Sequence, residues 1–102
     1  MINAIQEYVG YLHNVRKISY NTEISYERDL KKAADYFHEM DIDDIRDVTE
    51  TNLNSYVLYL EQNHMSPATV SRNIASLRSF FRYLMKEREI GSDPTEDRKS
   101  VV

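Results

Sequence analysis

The chain has 102 residues, with 13 Lys and Arg against 17 Asp and Glu, a formal charge of −4, no Cys and no Trp. That length suits one domain, and 41% hydrophobic with 29% charged residues is enough apolar content for one core. Zero Cys excludes a disulfide framework, thiolate metal sites and a Cys nucleophile. No run approaches about 18 apolar residues, and the start MINAIQEYVG lacks the basic and apolar regions of a signal peptide, so membrane and secreted classes are weak readings. The net acidity, taken as a sum, speaks against nucleic acid as a partner.

Only two Gly and two Pro occur, and apolar residues recur at three- and four-residue spacing, so the chain reads as all-helical. A first helix is expected from about Asn3 to Val15, with Ile5, Val9 and Leu12 on one face. Gly10 inside it costs on the order of 1 kcal/mol relative to Ala, which a close helix–helix approach would explain. A second helix should start near Ser19–Thr22, with Ser19 or Asn21 as cap, and bury Tyr26, Leu30, Ala33, Ala34, Phe37 and Met40. The acidic stretch from Asp41 to Asp47 reads as a connector docked by Ile42, Ile45 and Val48. Thr49 then caps a third helix to about Asn63, with Leu53, Tyr56, Val57 and Leu60 inward. Ser66-Pro67 opens a fourth, to about Glu87, with Val70, Ile74, Leu77, Phe81 and Leu84 in line. Gly91 marks a stop and Asp93-Pro94 follows. The expected organisation is a compact bundle of four main helices over residues 1–92, with 93–102 a tail or the start of a linker.

Catalytic signals are sparse. His13-Asn-Val-Arg16 spells His-x-x-Arg, but it sits at a helix end with no partner group, where cations favoured by the helix dipole suffice. His38 and His64 are isolated near helix ends, and Asp43-Asp44 reads as solvated. No zinc, calcium, P-loop or dinucleotide spacing occurs, so no metal, cofactor or catalytic residue is expected in this chain. Most of the eight Tyr residues, among them Tyr8, Tyr26, Tyr56 and Tyr83, sit at core or core-edge spacing, their hydroxyls reaching water.

Charge by segment is more informative than its sum. Residues 41–63 carry −5, whereas 64–90 carry +3. On a wheel with Val70 at zero, Arg78, Arg82, Lys86 and Arg72 fall between about 80° and 200°. Ser71, Ala75 and Ser79 lie between them, and no acid of that helix shares the stripe before Glu89. A cationic face with small hydroxyls suits phosphates, and it equally suits plain solvation. The second helix offers a shorter patch, Ser25, Arg28 and Lys32, with Lys31 beside it and Thr22 at the helix start.

Two strings sharpen the choice. Asn21-Thr22-x-x-x-Tyr26-x-Arg28-Asp29-Leu30 is one; Ser66-x-x-Thr69-x-x-Arg72-x-x-x-x-Leu77-Arg78-x-Phe80-Phe81-x-Tyr83-Leu84 is the other. With the closing Met85-Lys86-Glu87-Arg88-Glu89-Ile90 and Asp93-Pro94, the chain resembles the N-terminal, core-binding, SAM-like helical domain of tyrosine recombinases, phage integrases and Xer-type recombinases, over roughly residues 2–95. The resemblance implies a helical domain that forms, with a larger catalytic domain, a C-shaped clamp around double-stranded DNA. Its second and fourth helices would lie at the major groove, touching phosphates and some bases. By matching position, Thr22, Ser25 and Arg28 would be contacts from the second helix, and Thr69, Ser71, Arg72 and Arg78 from the fourth. Lys32, Arg82 and Lys86 join them by wheel position alone. The family's catalytic residues belong to the catalytic domain, expected beyond residue 102, so this chain should not cut DNA by itself. Implied partners are that domain and other recombinase subunits in a synaptic complex, in the cytoplasm. A SAM-like protein-interaction or oligomerisation module is the alternative, with the acidic connector as docking surface.

Overall fold

The structure, a computed structural model, describes residues 1–96, so the greater part of the expected tail, 97–102, lies outside the described residues. Helix α1 spans Ile2–Tyr11 and buries Ile5 and Tyr8. The expected continuation to Val15 is helical but not α: over Leu12–Arg16 the hydrogen bonds widen to π spacing, and the Lys17 N–H donates to the Leu12 carbonyl. Lys17 then takes the left-handed conformation, with φ 50°. The wider turn keeps Leu12 inside while the chain reverses, and it leaves Val15 66% exposed. Gly10 is not explained by close approach, because a Cβ added there would meet nothing within 4 Å.

Helix α2, Tyr20–Glu39, starts where Ser19 caps it: the Thr22 N–H donates to Ser19 Oγ. Leu30, Ala33, Ala34 and Phe37 are buried as their spacing requires, and Tyr26 is half-buried. Met40 departs from the expected stripe; it is the C-cap, past the last buried position, and 43% exposed. Two acids, Glu23 and Asp29, are buried on this helix. The connector docks through Ile42, Ile45 and Val48, with a short 3-10 turn at Ile45–Asp47. Helix α3, Glu50–Gln62, opens with a reciprocal cap. Asn52 Oδ1 accepts from the Thr49 N–H at 2.8 Å, and Thr49 Oγ1 accepts from the Asn52 N–H at 3.2 Å. Its inward residues, Leu53, Tyr56, Val57 and Leu60, are all buried.

Helix α4, Pro67–Lys86, is capped by Ser66 and packs against α1, α2 and α3. Contact with three helices needs a broader buried arc than the expected line. Val70, Leu77, Phe81 and Leu84 are inside, but so are Asn73, Ser76 and Phe80, while Ile74 is only half-buried. The buried face is thus turned by about 50° from the line drawn through Val70 and Phe81.

Aromatic rings hold the bundle in two groups. Tyr8, Tyr11, Phe80 and Tyr83 join α1 to α4 with centroids 4.9–6.4 Å apart. Tyr36, Phe37, Tyr56 and Tyr59 join α2 to α3. Three hydroxyls expected to reach water find protein partners instead. Tyr8 bonds Ser79 Oγ, Tyr36 bonds Ser55 Oγ at 2.6 Å, and Tyr56 donates to Asn73 Oδ1 at 3.4 Å. The chain beyond α4 returns to the bundle, where Ile90 and Thr95 are buried.

Candidate nucleic-acid interface

Helices α2 and α4 pack side by side, and the seam between them holds a charged cluster. The Arg72 guanidinium donates from Nε to Asp29 Oδ2 and from Nη2 to Asp29 Oδ1, both at 2.9 Å. Ser76 Oγ lies 3.1 Å from Asp29 Oδ2 and 3.0 Å from the Arg72 carbonyl, and its single proton serves either acceptor. Asp29 is 4% exposed, whereas the Arg72 side chain is 45% exposed. A buried carboxylate is thereby satisfied by a bidentate partner that still reaches solvent. The Asp29 carboxylate holds the Arg72 guanidinium above its ordinary pKa, so it stays cationic.

The expected contact residues divide around this seam. On α2, Ser25 and Lys32 are half-buried and Arg28 is exposed, flanking Asp29 at i−4, i+3 and i−1. Lys31 is tied up by Glu27 at 3.2 Å. Thr22 is exposed but belongs to the cap, its Oγ1 accepting from Ser19 Oγ at 2.9 Å. On α4, Thr69 is likewise engaged, its Oγ1 accepting from Ser66 Oγ at 3.0 Å. Ser71 is exposed and turns toward α3, lining a groove with Asn54, Val57, Leu58, Glu61, Met65 and Ile74. Arg78 and Arg82 line a depression with Met85, Asp93, Thr95 and Glu96. Lys86 sits over the Tyr11 ring, 5.7 Å from its centroid.

The structure therefore brings Asp29, Arg72 and Ser76 together at one seam, while Arg28 and Lys32 line a depression along α2 with Ile24, Glu27, Lys31 and Asp35. Arg78 stands on the other edge of the exposed α4 face, about 9 Å along the axis and about 120° around it from Arg72. Among the described residues, Arg28, Lys32, Arg78 and Arg82 have no acidic partner within ion-pair distance. Arg72 does, which the wheel of α4 could not show because the acid comes from α2. Asp29 and Ser76 are the residues that sequence reasoning left without a role. The usable signal was a carboxylate beside Leu30 at the edge of the core face.

Elsewhere two of the three histidines make ordinary pairs: His13 Nδ1 with Glu23 at 3.3 Å, and His38 Nδ1 with Asp43 at 2.6 Å. Asp44, against the Arg46 guanidinium and N–H, is held well below its usual range, at about 2. Among the described residues no group of three or more His, Asp or Glu could hold a metal ion. No helix among them is long and apolar enough to cross a membrane.

Residues 5–88 match the family described as phage integrase, N-terminal SAM-like domain. Tyrosine recombinase XerC of Listeria welshimeri is 36% identical over 89 residues, covering 87% of this chain and 30% of that protein. Tyrosine recombinase XerD of Oceanobacillus iheyensis is 33% identical over 93 residues, covering 90% of this chain and 31% of its own length. Tyrosine recombinase XerC of Roseiflexus is 29% identical over 96 residues, covering 94% and 31% respectively. The chain thus spans about 30% of the length of these relatives. No solved structure matches. A four-helix bundle matched over residues 5–88, together with Xer relatives along most of its length, identifies the chain as a member of the phage integrase N-terminal SAM-like domain family, of the Xer tyrosine recombinase type.

Proposed function

We propose that this chain is the DNA-positioning N-terminal domain of a site-specific tyrosine recombinase. It lays the adjacent helices α2 and α4 against the major groove of a duplex, and cleavage chemistry comes from a catalytic domain that closes the clamp. The observation that carries this reading is the set of four cations, Arg28 and Lys32 on α2 and Arg78 and Arg82 on α4, without acidic partners among the described residues. In this reading Lys86 extends the same surface, while Thr22, Ser25, Thr69 and Ser71 add hydroxyl donors at its margins. Residues 1–92 form the binding unit and 93–102 lead toward the catalytic domain. The complete recombinase works in the cytoplasm beside further recombinase subunits in a synaptic complex.

Binding by this domain is weak and salt-sensitive, since phosphate contacts dominate and each adds about 0.9 to the salt slope. Anisotropy of a labelled duplex at about 50 and 200 mM salt measures it. Replacing Arg78 and Arg82 with Glu should abolish binding at the lower salt while helicity persists. Arg72→Glu is a poor probe, because it would press a second carboxylate against buried Asp29.

One feature favours the interaction module as a second reading. Leu58 is 57% exposed beside the α3–α4 groove of about 570 Å3, which is apolar along Val57, Met65, Val70 and Ile74. Sedimentation of Leu58→Asp separates the two. Unchanged duplex binding by the Arg78→Glu, Arg82→Glu protein, together with altered self-association of Leu58→Asp, replaces the DNA reading with this one.

A further inference from the structure

The cations of the proposed surface are not equivalent, and the difference lies in what already holds them. Arg72 spends its Nε–H and one Nη2–H on Asp29, side-on and bidentate. Of the five guanidinium N–H groups, that leaves both Nη1 hydrogens and the second Nη2 hydrogen. They point from the end of the fork and keep the group half-exposed at the α2–α4 seam. The Asp29 carboxylate is fixed in turn by burial and by the Ser76 hydroxyl.

Two physical consequences follow. The fork is pre-oriented, so less rotamer freedom is lost when it binds. Its charge is also compensated at 2.9 Å, so the pair as a whole offers a phosphate little net attraction. A rigid, nearly neutral pair of coplanar donors is poorly suited to counterion release and well suited to a planar pair of acceptors. In the major groove guanine presents that pair, O6 and N7, whereas adenine sets a donor beside N7.

We propose that Arg72 reads a guanine edge, that Asp29 and Ser76 are the positioning residues that aim it, and that Arg28, Lys32, Arg78 and Arg82 supply the sequence-independent grip. This rests on the DNA-positioning reading and assigns the specificity within it to one seam. A single guanine preference then stands out against binding otherwise nearly indifferent to sequence.

The test is selection from duplexes with a randomised central stretch, sequenced after binding to the 102-residue chain, with salt titrations on one fixed duplex. Wild type should enrich guanine at one position by about tenfold or more. Arg72→Lys keeps the charge and loses the fork, so the enrichment should vanish while the salt slope changes by less than about 0.5. Asp29→Asn releases the Arg72 charge from its counter-charge, so the enrichment should fall while the slope steepens by up to about 1. A purely structural ion pair predicts no such rise. If Asp29→Asn does not fold, Arg72→Lys at its half-exposed position carries the test, with circular dichroism confirming the helices. The proposal is overturned if wild type enriches no guanine, if Arg72→Lys retains the preference, or if that variant loses affinity uniformly with a slope reduced by about 1, as expected of Arg82→Ala. Absence of any duplex binding at low salt removes the parent reading instead, and this one with it.

Discussion

Asp29 and Arg72 are unequal partners, because one is buried and the other half in water. Removing the arginine strands a carboxylate that is 4% exposed with only Ser76 to satisfy it. Removing the acid leaves a guanidinium that water can solvate. Arg72→Ala should therefore cost about 3 kcal/mol and Asp29→Ala about 1–2 kcal/mol, read from urea midpoints at constant m. Arg72 was legible in the sequence as a cation on a cationic face. Its partner lies 43 residues away on another helix, and no single-helix wheel contains that contact. The His38 pair can be followed by pH. The Asp43 hydrogen bond raises the His38 pKa above 6.5, so its stabilisation is complete below that value and fades as pH climbs through the raised pKa. Imidazole resonances should show His38 titrating late, and Asp43→Asn should bring it back down.

Helix starts were readable because their chemistry is local. Ser19, Thr49 and Ser66 each accept from an N–H three residues on. The ends of α2, α3 and α4 also fall within a residue of expectation, from apolar spacing alone, although the usual marker is missing: the residues that turn left-handed after them are Asp41, His64 and Arg88, not glycines. Each closes a paired hydrogen bond back to its helix. Ile42 N–H reaches the Phe37 carbonyl at 2.8 Å, Met65 N–H that of Leu60 at 3.2 Å, and Glu89 N–H that of Leu84 at 2.9 Å. Gly91, expected as the stop, lies beyond this closure and has no positive φ. His64→Gly should relieve left-handed strain and stabilise by about 0.5–1 kcal/mol after the entropy cost of glycine. Gly10→Ala should add about 0.5–1 kcal/mol, since the methyl meets only open space. Either gain is visible as a Tm several degrees higher, at roughly 4–8 °C per kcal/mol for a domain of this size. The rotation of the α4 face escaped the sequence. Its arc is set by three neighbours at once, and Asn73 and Ser76 are buried only because Tyr56 and Asp29 reach them.

Across the whole molecule, the charge of −4 averages two surfaces. The net acid is concentrated in the connector and α3, while α4 is net cationic and α2 contributes Arg28, Lys31 and Lys32 among its acids. Much of the fold, four helices and most of their inward residues, follows from apolar spacing. The functional surface follows only in outline, since partner geometry sorts its cations into tethered and open. Stability at high pH is also a property of the whole core. Burial raises the Tyr8 and Tyr56 phenols above their ordinary value of 10.0. Above about pH 10 the unfolded chain sheds protons that the folded one keeps, so stability should fall with rising pH, by up to roughly 1.4 kcal/mol per pH unit for each group. Denaturation midpoints from pH 8 to 11 would show this as a steepening decline past about pH 10, and Tyr8→Phe should soften it.

The two ring groups give the chain an optical property of its own. With eight Tyr, three Phe and no Trp, its near-ultraviolet spectrum comes from Tyr and Phe alone, and six of the Tyr lie in these two groups. One group reports the α1–α4 junction, the other the α2–α3 junction. A Tyr11→Leu and a Tyr59→Leu protein would each silence part of one group's dichroism. Unfolding followed in the pair would then reveal, without any label, whether the bundle opens at both junctions together or at one first.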